Sequence, residues 1–129
     1  MRIAMPVGDG QKGLENEIFE HFGHAPYFLL VDINGKRVVN VKTLKNPYAE
    51  EHMPGQVPKL LSENNVKILI CRGVGRRAME MFRQFGIEVI RGAQGKASQV
   101  IEAYLKGELV SKEYKPSRKW KSSNRCSNI

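Results

Sequence analysis

The chain reads as one α/β domain, and three features of its sequence say so. The second half alternates short apolar runs with amphipathic stretches, at residues 66–71, 76–85, 87–90 and 96–106. That alternation is what strands joined by crossover helices produce. The first half holds two β-rich runs, 27–33 and 37–44, on either side of Asn34-Gly35, a strong short-range hairpin signal that makes the two runs antiparallel neighbours. Finally, 129 residues at 41% hydrophobic content are enough for one core without disulfide staples.

Taken in order, residues 2–7 form a first strand, too short to be a signal peptide. Gly8-Asp9-Gly10 opens a glycine-rich loop that reaches Gly13. Residues 16–22 are expected to make a helical turn with Ile18, Phe19 and Phe22 inward. After the hairpin comes a polar connection, 46–55, containing His52 and Pro54. A helix from Gly55-Gln56 to Asn64 follows, with Val57, Leu60 and Leu61 inward and Pro58 tolerated in its first turn. Residues 66–71 are a continuous apolar strand of the kind buried on both faces. Gly73-Val74-Gly75 leads into a helix over 76–85 with Ala78, Met79, Phe82 and Phe85 inward, stopped by Gly86. Strand 87–90, Gly92-Ala93-Gln94-Gly95 and a third helix over 96–106, with Ala97, Val100, Ile101, Tyr104 and Leu105 inward, complete the domain at about residue 110. Beyond it, 111–129 is Lys-, Ser-, Arg- and Asn-rich and reads as a basic flexible tail, with Trp120 and Cys126 as its odd features.

The charge is uneven. Residues 112–129 hold six Lys or Arg and one Glu, so they carry +5 of the net +8. A short basic tail serves first for solubility or loose attraction to anions. Two cysteines, Cys71 and Cys126, make no disulfide framework, which points to a reducing cytoplasm. No apolar run approaches the ~20 residues needed to cross a bilayer.

Three strands end in glycine-rich loops. If those strands are parallel, the loops open together at the carboxyl edge of the sheet, where α/β folds bind ligands. The loops at Gly73, Gly75 and at Gly92, Gly95 also deliver helix N-termini there, and Arg72, Arg76, Arg77 and Arg91 cluster around them. Backbone and charge both favour an anion. Neither loop has a phosphate-loop fingerprint, and Ala78 stands where a dinucleotide motif needs its third glycine.

His21 and His24, separated by Phe22 and Gly23, have a metal-ligand spacing, and His52 is the third histidine; all three fall in connections. A single loop histidine is more often a surface or packing residue than a ligand, and three of three in connections brings the two readings toward even. Cys71, ending an apolar strand, reads first as an inert buried thiol and second as a ligand. No nucleophile–base pair or carboxylate cluster is evident.

Three stretches resemble the dinitrogenase iron–molybdenum cofactor biosynthesis family, the group of NifX-type and NafY-type carriers and the C-terminal domain of NifB. They are Arg2-Ile3-Ala4-Met5-Pro6-Val7, Glu20-His21-Phe22-Gly23-His24-Ala25-Pro26-Tyr27-Phe28 and Gly73-Val74-Gly75-Arg76-Arg77-Ala78. The resemblance covers about residues 1–110. It implies a ribonuclease-H-like three-layer fold: a five-stranded mixed sheet, one strand antiparallel, with flanking helices. It also implies binding of an iron–sulfur or iron–molybdenum cluster rather than catalysis, with His21 the ligand and His52 near a second family histidine.

A permanently held cluster usually takes four thiolates, and this chain offers at most two. The expected function is therefore transient carriage of a cluster between donor and acceptor proteins, by a monomer or homodimer. The site would comprise His21, Gly23, His24, His52, Gly73, Gly75, Arg76, Gly92 and Gly95, with His21, His24, His52 and Cys71 as the metal-ligand candidates. The alternative is a nucleic-acid or phosphate-ligand module using the tail and the arginine-lined loops.

Overall fold

A computed structural model describes residues 1–50, 53, 55–109 and 111. Its five strands are β1 (Arg2–Val7), β2 (Tyr27–Asn34), β3 (Arg37–Lys45), β4 (Ile68–Ile70) and β5 (Glu88–Ile90). Its three helices are α1 (Gln56–Glu63), α2 (Arg76–Gln84) and α3 (Ala97–Leu105). The strands form one mixed sheet in the order β3-β2-β1-β4-β5. β1, β4 and β5 are parallel, while β2 runs against both β1 and β3 and is the one reversed strand.

Period-2 alternation sends successive side chains to opposite faces. Ile3, Met5, Val7, Leu29, Val31, Ile68 and Ile70 meet Ala97, Val100 and Ile101 of α3 on one face. Ala4, Phe28, Leu30, Leu69 and Cys71 meet Val57 and Leu61 of α1 and Phe82 of α2 on the other. The sheet is thus sandwiched between helical layers, and its central strands are apolar throughout because they are covered on both sides. No helix among the described residues is long and apolar enough to cross a membrane.

Three local expectations are corrected. The hairpin turn falls on Gly35-Lys36, one residue later than predicted, since Asn34 still pairs with Arg37 and the left-handed φ of 66° sits on Gly35. Residues 16–21 are not a helical turn but a strand-like ribbon, because neighbouring loops supply better backbone partners than a short helix could, and the helical turn begins only at Phe22. Phe85 is exposed rather than inward. The helix ends at Gln84, and Gly86, with φ 76°, reverses the chain before the helical period can carry Phe85 to the core.

At the edge remote from the glycine loops, Arg2 and Asp32 face each other across β1 and β2. Arg2 Nε and a second guanidinium nitrogen donate to the two carboxylate oxygens at 2.7 and 3.1 Å. Arg2 also donates to the Asn64 carbonyl at 3.0 Å, tying the sheet to the end of α1. The Arg2 hydrogen bonds hold the Asp32 carboxyl down from 3.8 to about 2. A depressed carboxyl stabilises the fold fully above its unfolded value and loses that contribution as pH falls through its folded value. The side chains are one-fifth exposed, and this screening limits the contribution to about 1–2 kcal/mol. Between pH 4 and pH 2 the wild type should therefore lose more stability than Asp32→Asn, by about that amount. Urea midpoints at the two pH values measure the difference, and equal losses would mean that the pair is inert.

Candidate functional site

The parallel arrangement of β1, β4 and β5 brings all three glycine loops to one edge. The reversed β2 brings the loop before it, residues 21–26, to the same place, since Tyr27 lies opposite both Val7 and Lys45. The ribbon over 16–21 is laid across this edge. Ala97 N donates to Asn16 O at 2.7 Å, Glu17 bridges Lys96, and Ile18 N donates to Gly95 O at 2.9 Å. Farther along, Ile18 bridges Val7, Phe19 N donates to Pro6 O at 2.8 Å, and His21 makes a parallel bridge to Gly73. One segment thus contacts the ends of β1 and the loops after β4 and β5.

His21 leads into a 3-10 turn, Phe22–His24, closed by His24 N donating to His21 O at 2.9 Å. Phe22 and Gly23 are buried, and the Phe22 ring meets the Phe82 ring of α2 edge-to-face at 5.6 Å. Both imidazoles are exposed, with centroids 6.3 Å apart and planes at 80°. His24 Nδ1 lies 2.9 Å from the Ala49 carbonyl. A carbonyl only accepts, so Nδ1 carries the proton and Nε2 has the lone pair of the neutral ring.

Two buried asparagines missing from the sequence-based set fix this edge. Asn46, 3% exposed, donates to the carbonyls of Ala25 at 2.8 Å and Gly23 at 3.3 Å and accepts from Tyr48 N at 3.0 Å. Asn16, 4% exposed, accepts from Asp9 N and donates to the carbonyls of Asp9 and Gly13. The Asn-Pro-Tyr run announces the local turn at Tyr48. Nothing local announces clamps made to residues more than twenty positions away.

The edge is electrically divided. Gly73 and Gly75 are buried, while Arg76 and Arg77 at the start of α2 are exposed. Gly92 N donates to Arg72 O at 2.8 Å and so joins the β4 and β5 loops. Arg91 Nε is buried without a hydrogen-bond partner among the described residues. Gly8, by contrast, opens on a hollow of about 750 Å³ whose charged lining includes Asp9, Glu15, Glu17 and Glu20 against Lys12 and Lys96. Of the three glycine loops, the first is therefore set among carboxylates that would repel an anion, unlike the loops after β4 and β5.

Cys71 does not join the imidazoles. It is fully buried in the core beneath α1 and α2, and burial pushes its thiol up to about 12, with the Arg91 charge pulling weakly the other way. A thiol held protonated inside a core is a poor ligand. Among the described residues, no three His, Cys, Asp or Glu side chains stand together as a metal-holding group. His52, Trp120, Cys126 and the tail over 112–129 lie outside the described residues.

Comparison with known proteins agrees with this architecture. PH0822, a protein of known crystal structure, is 38% identical, with a TM-score of 0.78 over 87% of this chain and 96% of its own. A candidate NifB protein from Thermotoga is 30% identical, with a TM-score of 0.70 over 85% and 91%. The apo orange protein of Desulfovibrio gigas, at 22% identity, shares the fold with a TM-score of 0.75 over 86% and 92%. The family model described as dinitrogenase iron-molybdenum cofactor matches residues 1–107, nearly the whole of the described domain, and the chain belongs to that family.

Proposed function

We propose that this protein carries a preassembled iron–sulfur or iron–molybdenum cluster, or its precursor, from a donor to an acceptor protein, with His21 as the principal ligand. The observation that carries the reading is the bridge between His21 and Gly73. It fixes an exposed imidazole on the arginine-rich side of the edge, with the His24 ring 6.3 Å away. Two imidazoles bound at ~2 Å to one tetrahedral metal would have centroids about 5 Å apart, about 1 Å closer than these two stand.

The donor set suits cargo better than a resident group. A resident cluster takes about four thiolates, and Cys71 is a neutral core thiol. One or two imidazoles, backed by the amides at the start of α2 and by Arg72 and Arg76, would grip an anionic cluster and release it again. Family membership and the candidate NifB relative support the same reading, which asks for no catalytic group. A labile cluster of this kind belongs in a reducing cytoplasm. The strand order, with β2 alone reversed, supports taking the fold as ribonuclease-H-like.

The test is anaerobic incubation with a cluster precursor, gel filtration and absorption spectroscopy. His21→Ala should retain less than about a tenth of the wild-type chromophore, because losing one of two ligands removes more than 1.4 kcal/mol of binding. Uptake equal to wild type would take His21 out of the site.

A further inference from the structure

We infer that the outer edge of β3 is a docking strand for an acidic, extended segment of a partner protein, added to the sheet by backbone pairing. β3 is the end strand and, among the described residues, pairs with β2 alone. A strand in that position presents a row of backbone N–H and C=O groups on its open side, and proteins either blunt such an edge or use it. Here the two halves of the strand differ. Near the hairpin turn the register slips between Asp32 and Ile33, so Val39 lies in a bulge, 60% exposed. That bulge blunts the turn end. Residues 40–45 run on in unbroken register against residues 27–32, a regular six-residue template.

Charge then selects the occupant. From Asn34 to Asn46 the chain carries Lys36, Arg37, Lys42 and Lys45 and no carboxylate. Lys42 and Lys45 are exposed and, three positions apart, lie on opposite faces of the sheet. A strand laid on residues 40–45 would therefore meet a cation above and a cation below the sheet. Cross-strand pairs of opposite charge stabilise, and like charges facing each other destabilise. A second copy of β3 would bring the same cations together, so the edge disfavours self-pairing and fits a strand with carboxylates on both faces. The docked strand would end at the candidate site's edge, since Lys45 lies opposite Tyr27 and Asn46 clamps the His21–His24 loop. Docking itself requires no cluster, so its failure is distinguishable from failure of the carrier reading.

The experiment uses the full chain without cluster and a synthetic peptide of the repeat Glu-Val-Val, whose glutamates, three positions apart, fall on both faces of an extended strand, with a Lys-Val-Val peptide as its counterpart. Backbone amide shifts and hydrogen exchange locate the contact. The acidic peptide should slow exchange and move amide signals within residues 40–45, and the basic peptide should do neither. Charge reversal at both exposed lysines, Lys42→Glu with Lys45→Glu, should weaken the acidic peptide at least about tenfold and admit the basic one. Neither lysine is in the core, and an unchanged melting curve checks the fold. The inference is overturned if the acidic peptide leaves residues 40–45 untouched, if its footprint lies instead on Arg72–Arg77 or beyond residue 111, or if both peptides bind alike.

Discussion

Replacing Phe82 by alanine is expected to cost about 3–5 kcal/mol, the usual range for truncating a fully buried phenylalanine. Phe82 is 0% exposed and is the α2 side chain that reaches deepest into the core shared with Phe28, Leu61 and Leu69. That loss is a large fraction of the roughly 5–15 kcal/mol that keeps a domain folded, and it would lower the melting temperature by about 10–20 °C. The effect should extend to the site, because the Phe22 ring loses its edge-to-face partner 5.6 Å away and Phe22 adjoins His21. Exchange of the His24 amide, which donates to His21 O, should rise even where the variant remains folded. Phe85→Ala is the matched control. Phe85 is 42% exposed, so its loss should cost under about 0.5 kcal/mol. Equal costs for the two variants, in denaturant midpoints, would mean that α2 packs by a different face.

Removing the Asn46 side chain should be the second large loss, about 2–4 kcal/mol. Asn46→Ala removes one acceptor and one donor group that together satisfy the carbonyls of Gly23 and Ala25 and the amide of Tyr48. Each buried polar group left without a partner costs about 1–3 kcal/mol, although water entering at the rim recovers part of it. Asn46→Asp should keep only the acceptor for Tyr48 N near neutral pH, since its carboxylate would face two carbonyl oxygens with no proton to donate. The consequence for function is looseness: the turn carrying His21 and His24 would keep its sequence and lose its clamp. Denaturant unfolding measures the cost, and exchange at residues 21–25 measures the loosening. A cost below 0.5 kcal/mol would show the clamp to be dispensable.

Each strand and helix was legible in the sequence to within a few residues, because hydrophobic period and glycine punctuation are local. Val66 to Cys71 contracted to Ile68–Ile70, and the turn moved by one residue, as chain ends follow pairing partners rather than composition. The ribbon over 16–21 reads as helical in sequence because its backbone partners, Pro6, Gly73 and Gly95, are brought to it only by the sheet. The same distance rule divides the candidate site. His21 and His24 stand out as residue types at a spacing, whereas Asn46 is an ordinary polar residue until the fold brings Gly23 and Ala25 to it.

The sequence by itself determined the α/β class, the hairpin, the glycine loops and a pair of histidines beside them, since these depend on near neighbours along the chain. Tertiary structure alone decided that β2, antiparallel to β3 through the hairpin, also pairs antiparallel with β1 and so carries His21 to the edge where β1, β4 and β5 end. It also decided between the two readings of Cys71 in favour of the buried thiol, and set carboxylates around the first glycine loop. Burial and charge at a point are sums over residues distant in sequence, and those sums exist only once the chain has closed on itself.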